Sequence, residues 1–329
     1  MRHLVLCLLA LMPLPATAGV REAVEAQILP GYAGFAEAAD RLAVAAAADC
    51  SPEALRPDWN AAFDAWLRVG FLHLGPGEDS GRTLAIAFWP DPKGIGAKQQ
   101  AGLIRTGDVA VLEPSAFAMQ SVAVRGLFAL ERLLYPAPDD PAAAGGDYVC
   151  ALTRATAADL ARMANGILSD WRDGYADVLL TAGEPGNETY LTEAEAAQAL
   201  YTQLITGLEF VKDQRLGRPL GTFDAPKPER AEARASGRSL RNVDLSLEAM
   251  RDFSLALAPK SPDTEAAFAS ALAVAEALED PVLAGVGEPD GRLKVEILQQ
   301  HVTTIVDAAV SEVGPALGVD VGFNAADGD

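Results

Sequence analysis

The stretch ILPGYAGFAEAADRLAVAAAA, residues 28–48, decides the fold class. Ile28, Tyr32, Phe35, Ala39 and Leu42 recur at three- and four-residue intervals and so line one face of an α-helix. The alanines around them lose no side-chain entropy on entering that helix. The same spacing continues downstream. Trp59, Phe63, Trp66 and Val69 mark a second helix, opened by the cap and first-turn proline of Cys50-Ser51-Pro52-Glu53. A helical pattern runs from Pro114 to Tyr135, and another from Asp147 to Trp171 on the stripe Leu152, Leu160, Met163, Ile167 and Trp171. Thr192-Glu193-Ala194-Glu195 reads as a capping box ahead of Leu200, Leu204, Leu208 and Val211. Three more helices are predicted near 239–257, 263–279 and 290–313.

Between these elements, Gly- and Pro-bearing stretches at 75–81, 89–94, 136–141, 181–190 and 218–238 read as connections. With no strand pairs, the expectation is an all-α protein of two packed helical bundles. The first would span 19–185, the second 186–320, and a Gly- and Asp-rich tail 321–329. The 329 residues are half apolar, enough for one large core or two ordinary ones. Twenty-six basic residues against 46 acidic ones give a formal charge of −20, which repels phosphate backbones and excludes nucleic acid as a partner.

The chain opens with the basic Met1-Arg2-His3, an apolar run from Leu4 to Met12, and the small-residue triplet Ala16-Thr17-Ala18. That pattern reads as a signal peptide over 1–18, cleaved after Ala18, and places the mature chain in the periplasm. The apolar run is much shorter than the ~20 residues a spanning helix needs, so no direct membrane insertion of the mature chain is expected. Removing the leader leaves Cys50 and Cys150, an even pair whose simplest reading in an oxidising compartment is a disulfide. Two separate thiols or half of a metal site are the alternatives; no CxxC pair or nearby histidine supports the metal.

Most catalytic signatures are missing: the sequence has no HExxH, Walker loop, GxGxxG or GxSxG. His301 lies in line with Ile297 and Ile305 and reads as a packed core-edge histidine. His73 follows Phe71-Leu72 at the mouth of the Gly75-Pro76-Gly77 loop, where it either caps carbonyls or serves a site.

Four segments together carry a resemblance: Phe71-Leu72-His73-Leu74-Gly75-Pro76, Trp89-Pro90-Asp91, Arg125-Gly126-Leu127-Phe128-Ala129-Leu130-Glu131-Arg132-Leu133-Leu134-Tyr135, and Ser236-Gly237-Arg238-Ser239-Leu240-Arg241-Asn242. In order and spacing they resemble the imelysin-like proteins, exported helical proteins associated with bacterial iron uptake and historically described as metallopeptidases. The family motif is GxHxxE; its positions here are Gly126, Phe128 and Glu131, with phenylalanine where the histidine belongs. A His and a Glu three apart share one helix face, the geometry for a paired metal ligand or a His-carboxylate hydrogen bond, whereas Phe128 has no lone pair to offer. Only the carboxylate remains, a donor that suits hard or borderline cations better than zinc.

The resemblance implies a non-enzymatic accessory of iron acquisition that binds a metal ion, a metal complex or a partner in a cleft between bundles. The cofactor or cargo would be iron or another divalent metal, and the partners iron-transport membrane components. Glu131 is the expected metal ligand with His73 as a second, against the alternative that Glu131 simply pairs with Arg125, Arg132 or another base. Arg82, Trp89 and Asp91 flank the first loop region as candidate contacts, where the Trp-Pro-Asp turn either walls a ligand or, the favoured reading, plugs the bundle end. Ser236 and Ser239 lie where the long connection meets the next helix, with Ser239 also placed to be its N-cap. Gly126 reads as a mid-helix glycine kept for close helix approach. Two other readings compete: a metal-dependent peptidase that pairs His73 with Glu131, and a structural adaptor without a small ligand.

Overall fold

The structure, a computed structural model, describes residues 17–319. The signal peptide expected at 1–18 lies outside the described residues except for its last two, and the tail 321–329 lies wholly outside them.

In chain order the α-helices are α1 (Thr17–Glu22), α2 (Leu29–Ala48), α3 (Pro52–Leu67), α4 (Arg82–Ile86), α5 (Ile95–Thr106), α6 (Pro114–Phe117) and α7 (Gly126–Leu134). They continue as α8 (Asp147–Asp170), α9 (Ala176–Leu180), α10 (Glu193–Phe210), α11 (Gly217–Leu220), α12 (Ser239–Leu257), α13 (Pro262–Glu276) and α14 (Pro289–Leu317). π-helical turns at Ala23–Ile28, Trp171–Tyr175 and Val211–Leu216 splice α1 to α2, α8 to α9 and α10 to α11 into continuous rods. No strand occurs among the described residues, and the fold is all-α, as the sequence predicts.

The stripes read from sequence are the ones that are buried. Ile28, Phe35, Ala39, Leu42, Trp59, Leu160, Met163, Ile167, Trp171, Leu200, Leu204, Leu208 and Val211 all have no exposed surface. α2 packs on α3 and α8, with α7 against both α3 and α8, to make the N-terminal bundle. α10, α12, α13 and α14 pack together as the second. α1 lies against α10 and α12, and α3 also touches α12, so the first rod starts on the second bundle and ends in its own. The apolar interiors merge into one cluster reaching from Val20 to Val319; a smaller cluster of Phe117, Leu133, Ala142, Val149 and Leu152 closes the far end of α7.

Two expectations change. The helix predicted over Pro114–Tyr135 is three pieces: α6, a 3₁₀ turn at Val122–Val124 and α7. Helix cannot run through this segment because Arg125 is extended (φ −116°, ψ 168°) and Gly126 is left-handed (φ 69°). Gly126 is therefore the first residue of a helix, not a mid-helix glycine. α5, meanwhile, falls in a stretch without an apolar stripe, where only Gly96 and Gln100 are buried. Half of the predicted capping box forms: Thr192 Oγ1 accepts from the Glu195 amide at 3.2 Å, while the Glu195 carboxylate accepts at 2.6 Å from the amide of Leu191, one residue before the N-cap.

Cys50, just past α2, and Cys150, in the first turns of α8, form a disulfide with Cα atoms 5.3 Å apart. The loop it closes spans 100 residues. The loop-entropy model sets a ceiling of about 4–5 kcal/mol on its contribution. Reduction, or the double variant Cys50→Ser/Cys150→Ser, is expected to lower the urea unfolding midpoint clearly; equal midpoints with and without reductant would count against a stabilising bridge.

Candidate functional site

The motif helix is positioned by its first residue. A Cβ at Gly126 would lie 2.2 Å from the Ala85 carbonyl oxygen and 2.3 Å from that of Ile86, distances no side chain tolerates. The end of α4 thus presses directly on the start of α7, which only glycine, at this left-handed φ, permits. Next to it, Arg125 donates from Nε to Asp159 on α8 at 2.7 Å, a buried ion pair that Arg162 completes at 2.6 Å. On the other side, Arg132 donates to Gln100 Oε1 at 2.6 Å and to the Ala123 carbonyl at 2.7 Å, fastening α5 to α7.

Glu131 is only 7% exposed. Its Oε1 accepts from the Ser236 amide at 3.0 Å and from the Ser236 hydroxyl at 2.7 Å, so a loop of the second bundle closes on the motif helix of the first. Burial pushes the Glu131 carboxyl above the usual carboxylate range; the Ser236 donors and the charge of Arg132 oppose that rise, and Glu232 adds to it. Glu232 is itself buried. It accepts from Arg215 Nε at 2.7 Å and from Asn242 at 3.0 Å.

Phe128, one turn before Glu131 on the same face, is 5% exposed and lies in a run of aromatic rings. It meets Phe63 edge-on at 5.4 Å and Trp89 face to face at 6.5 Å with 18° between planes, and Trp89 meets Phe210 edge-on at 5.9 Å. Guanidinium groups terminate the run: Arg238 sits 4.7 Å from the Phe63 centroid, Arg215 5.2 Å from Phe210 and Arg218 5.9 Å from Trp89.

The structure thus brings Phe128, Glu131, Trp89 and Ser236 together. Asp91 belongs to the same turn as Trp89, but its carboxylate accepts from the Ile95 and Gly96 amides at 2.9 and 2.7 Å and anchors the start of α5. Partial burial would raise its pKa, yet those amides and Arg132 hold it below the ordinary range. Ser239 is not the N-cap of α12: Arg238 occupies that place, and the Ser239 hydroxyl donates to the Glu232 carbonyl at 2.6 Å. Arg82 pairs with Asp170 at 2.7 Å. His73 has Glu78 at 3.5 Å from Nδ1, and its amide donates to Gln203. Neither Arg82 nor His73 bonds Glu131. Among the described residues, no group of three or more His, Cys, Asp or Glu side chains could hold a metal ion.

The sequence reading passed over Arg238 and Arg241. Arg238 is almost fully buried and donates to Asn60 and Asp64 on α3, both at 2.6 Å, while Arg241 pairs with the other oxygen of Asp64. Glu232, Arg215 and Arg218 were missed as well. The available signal concerned Arg238 and Arg241 alone, which stand three apart within the run Ser236 to Asn242, as residues on one helix face do; the other three lie outside that run.

A family model for imelysin, Peptidase_M75, matches residues 28–308. The chain belongs to the imelysin family. It is similar to "Iron-regulated protein A" of Synechococcus elongatus, 26% identical over 231 residues that make up 67% of this chain and 59% of that protein, so it spans less than two thirds of that relative. An imelysin-like protein from Psychrobacter arcticum has the same fold, with a TM-score of 0.77 at 22% identity over 94% of this chain and 97% of that one. A structure assigned as an iron-regulated protein A precursor from Parabacteroides distasonis gives 0.71 at 12% identity, over 91% and 95%. In this imelysin-family chain the motif face thus carries an aromatic ring beside a carboxyl whose pKa burial raises.

Glu131→Gln keeps an acceptor for both Ser236 donors and removes the buried charge. Because the folded carboxyl has a raised pKa, wild-type stability falls as pH climbs from the ordinary carboxylate range through the folded value. The Gln variant should therefore match or exceed wild type at pH 8 and lose that dependence. Glu131→Ala should cost about 1–3 kcal/mol by stranding the donors. Urea melts at pH 5 and pH 8 check both; a Gln variant as unstable as the Ala variant would contradict the account.

Proposed function

We propose that this imelysin-family chain is an exported, non-enzymatic accessory of iron acquisition that captures a metal complex, rather than a free ion, where α7, the Trp89 turn and the 228–238 segment meet. The observation that carries this reading is the pairing of Phe128 with Trp89 beside Glu131. A bare cation would find Glu131, already engaged by Ser236 and shifted toward its neutral form, then Glu232, committed to Arg215 and Asn242, and no histidine. That donor set does not fit a resident metal ion, which needs several deprotonated ligands. An aromatic wall with a few fixed polar groups is instead the usual make-up of a site for an organic ligand.

The link to iron rests on the name of the Synechococcus relative, and export on the leader-like opening of the sequence together with the precursor description of the Parabacteroides protein. Delivery to an iron-transport membrane component fits a chain in which no described helix is long and apolar enough to cross a membrane. Peptidase chemistry through His73 and Glu131 draws no support from contacts that bind His73 to Glu78 and Gln203.

The test is calorimetry on the mature chain with ferrous ion, zinc ion and ferric citrate, paired with tryptophan fluorescence. Saturable binding of ferric citrate with quenching that disappears in Trp89→Phe is expected, and no saturable heat from either free ion. Tight binding of a free ion, lost in Glu131→Ala, would overturn the preference for a complex.

A further inference from the structure

Interior arginines in this chain are compensated by oxygen partners, with one exception. Among the described residues, every other arginine that is not exposed donates to a carbonyl, amide or carboxylate oxygen, from Arg56 on the Leu134 carbonyl through Arg215 on Glu232 to Arg292 on Glu296. The Arg218 side chain is half-buried and makes neither a hydrogen bond nor an ion pair; its Nε is enclosed without a partner, as are those of Arg82 and Arg238, but unlike theirs its terminal nitrogens have no oxygen partner either. Its one recorded interaction is with the face of Trp89, 5.9 Å away. Its two terminal nitrogens reach the surface, so this fork is held by an indole face and by no counter-charge. No oxygen partner in the fold gives a reason for this arrangement.

The placement gives one. Trp89 is the ring that stacks on Phe128, one turn from Glu131, so Arg218 overlooks the proposed capture site from the second bundle. Arg215, one turn earlier in the same rod, covers Phe210 but is consumed by Glu232 and Ser246. Arg218 is thus the uncommitted planar donor beside the aromatic wall. On a chain of charge −20 the overall field repels anions, so an anion would have to be recognised by a local group of this kind.

We infer that Arg218 receives the anionic end of the ligand, and that the ligand is a carboxylate-bearing organic anion whose remaining body lies along Trp89. This rests on the capture reading above and narrows it: a cargo metal would arrive inside a negatively charged chelate. Free organic acid and ferric chelate share this chemistry and are separated by experiment.

Affinities of the mature chain for ferric citrate, iron-free citrate and benzoate are measured by calorimetry in wild type, Arg218→Gln, Arg218→Lys and the exposed control Arg230→Gln. Arg218→Gln is expected to weaken anion binding by about tenfold or more, because a charge-assisted fork is lost. Arg218→Lys should recover part of it, Arg230→Gln should change nothing, and the melting temperature of the Gln variant should stay level or rise. Equal affinity in wild type and Arg218→Gln overturns the inference and leaves the capture reading standing. Arg218-dependent binding of citrate or benzoate without binding of ferric citrate supports the anion site and removes the iron role. If none of the three probes binds to wild type, both fall.

Discussion

The contact on which the site depends is made without side chains. Where the carbonyls of Ala85 and Ile86 press on Gly126, α4 and α7 are locked at backbone distance, and everything downstream on both strands of chain inherits that register. Three residues beyond Ile86 comes Trp89; two beyond Gly126 comes Phe128, and five beyond it Glu131. The stacking of Trp89 on Phe128 follows from that single approach, since both rings are placed from one fixed point. The Arg125–Asp159 pair and the Arg132–Gln100 bond then hold α7 against α8 and α5, so the helix can neither slide nor turn.

The second bundle is joined to this platform by a short run of polar groups. Ser236 bonds Glu131, Arg238 reaches Asn60 and Asp64, and Arg241 takes the other oxygen of Asp64. The Ser236 and Arg238 interactions exchange water for part-buried hydrogen bonds and for rings beneath Arg238, while Arg241 stays exposed, so their worth lies as much in fixing orientation as in stability. The proposed capture site would lie at this seam, with the motif helix and Trp89 turn on one side and the rods bearing Phe210, Arg215 and Arg218 on the other.

Periodicity made the helical frame legible, because Ile28, Phe35, Leu42, Trp59 and their counterparts are buried for the same reason that they are spaced. Phe128 and Glu131 were legible as a departure from a motif. The partners of these residues were not. Arg238 and Asp64 are 174 positions apart, and no local pattern distinguishes an arginine committed to such a partner from one on a solvated face. Gly126 was read as a helix interior because spacing does not reveal the sign of φ, and α5 was hidden because it buries too few side chains to leave a stripe. Hydrophobic order was thus readable along the chain, while polar order resides in contacts between distant parts of it.

The bridge between Cys50 and Cys150 has a further consequence. Trp89, Phe128 and Glu131 lie inside the covalent ring it closes, whereas Ser236, Arg218 and Phe210 lie outside it. A single cut of the main chain anywhere between the two cysteines, such as at the exposed residues around Val109 or Met119, leaves one covalently connected molecule. The half of the site built by the first bundle is therefore topologically protected against scission of its own loops.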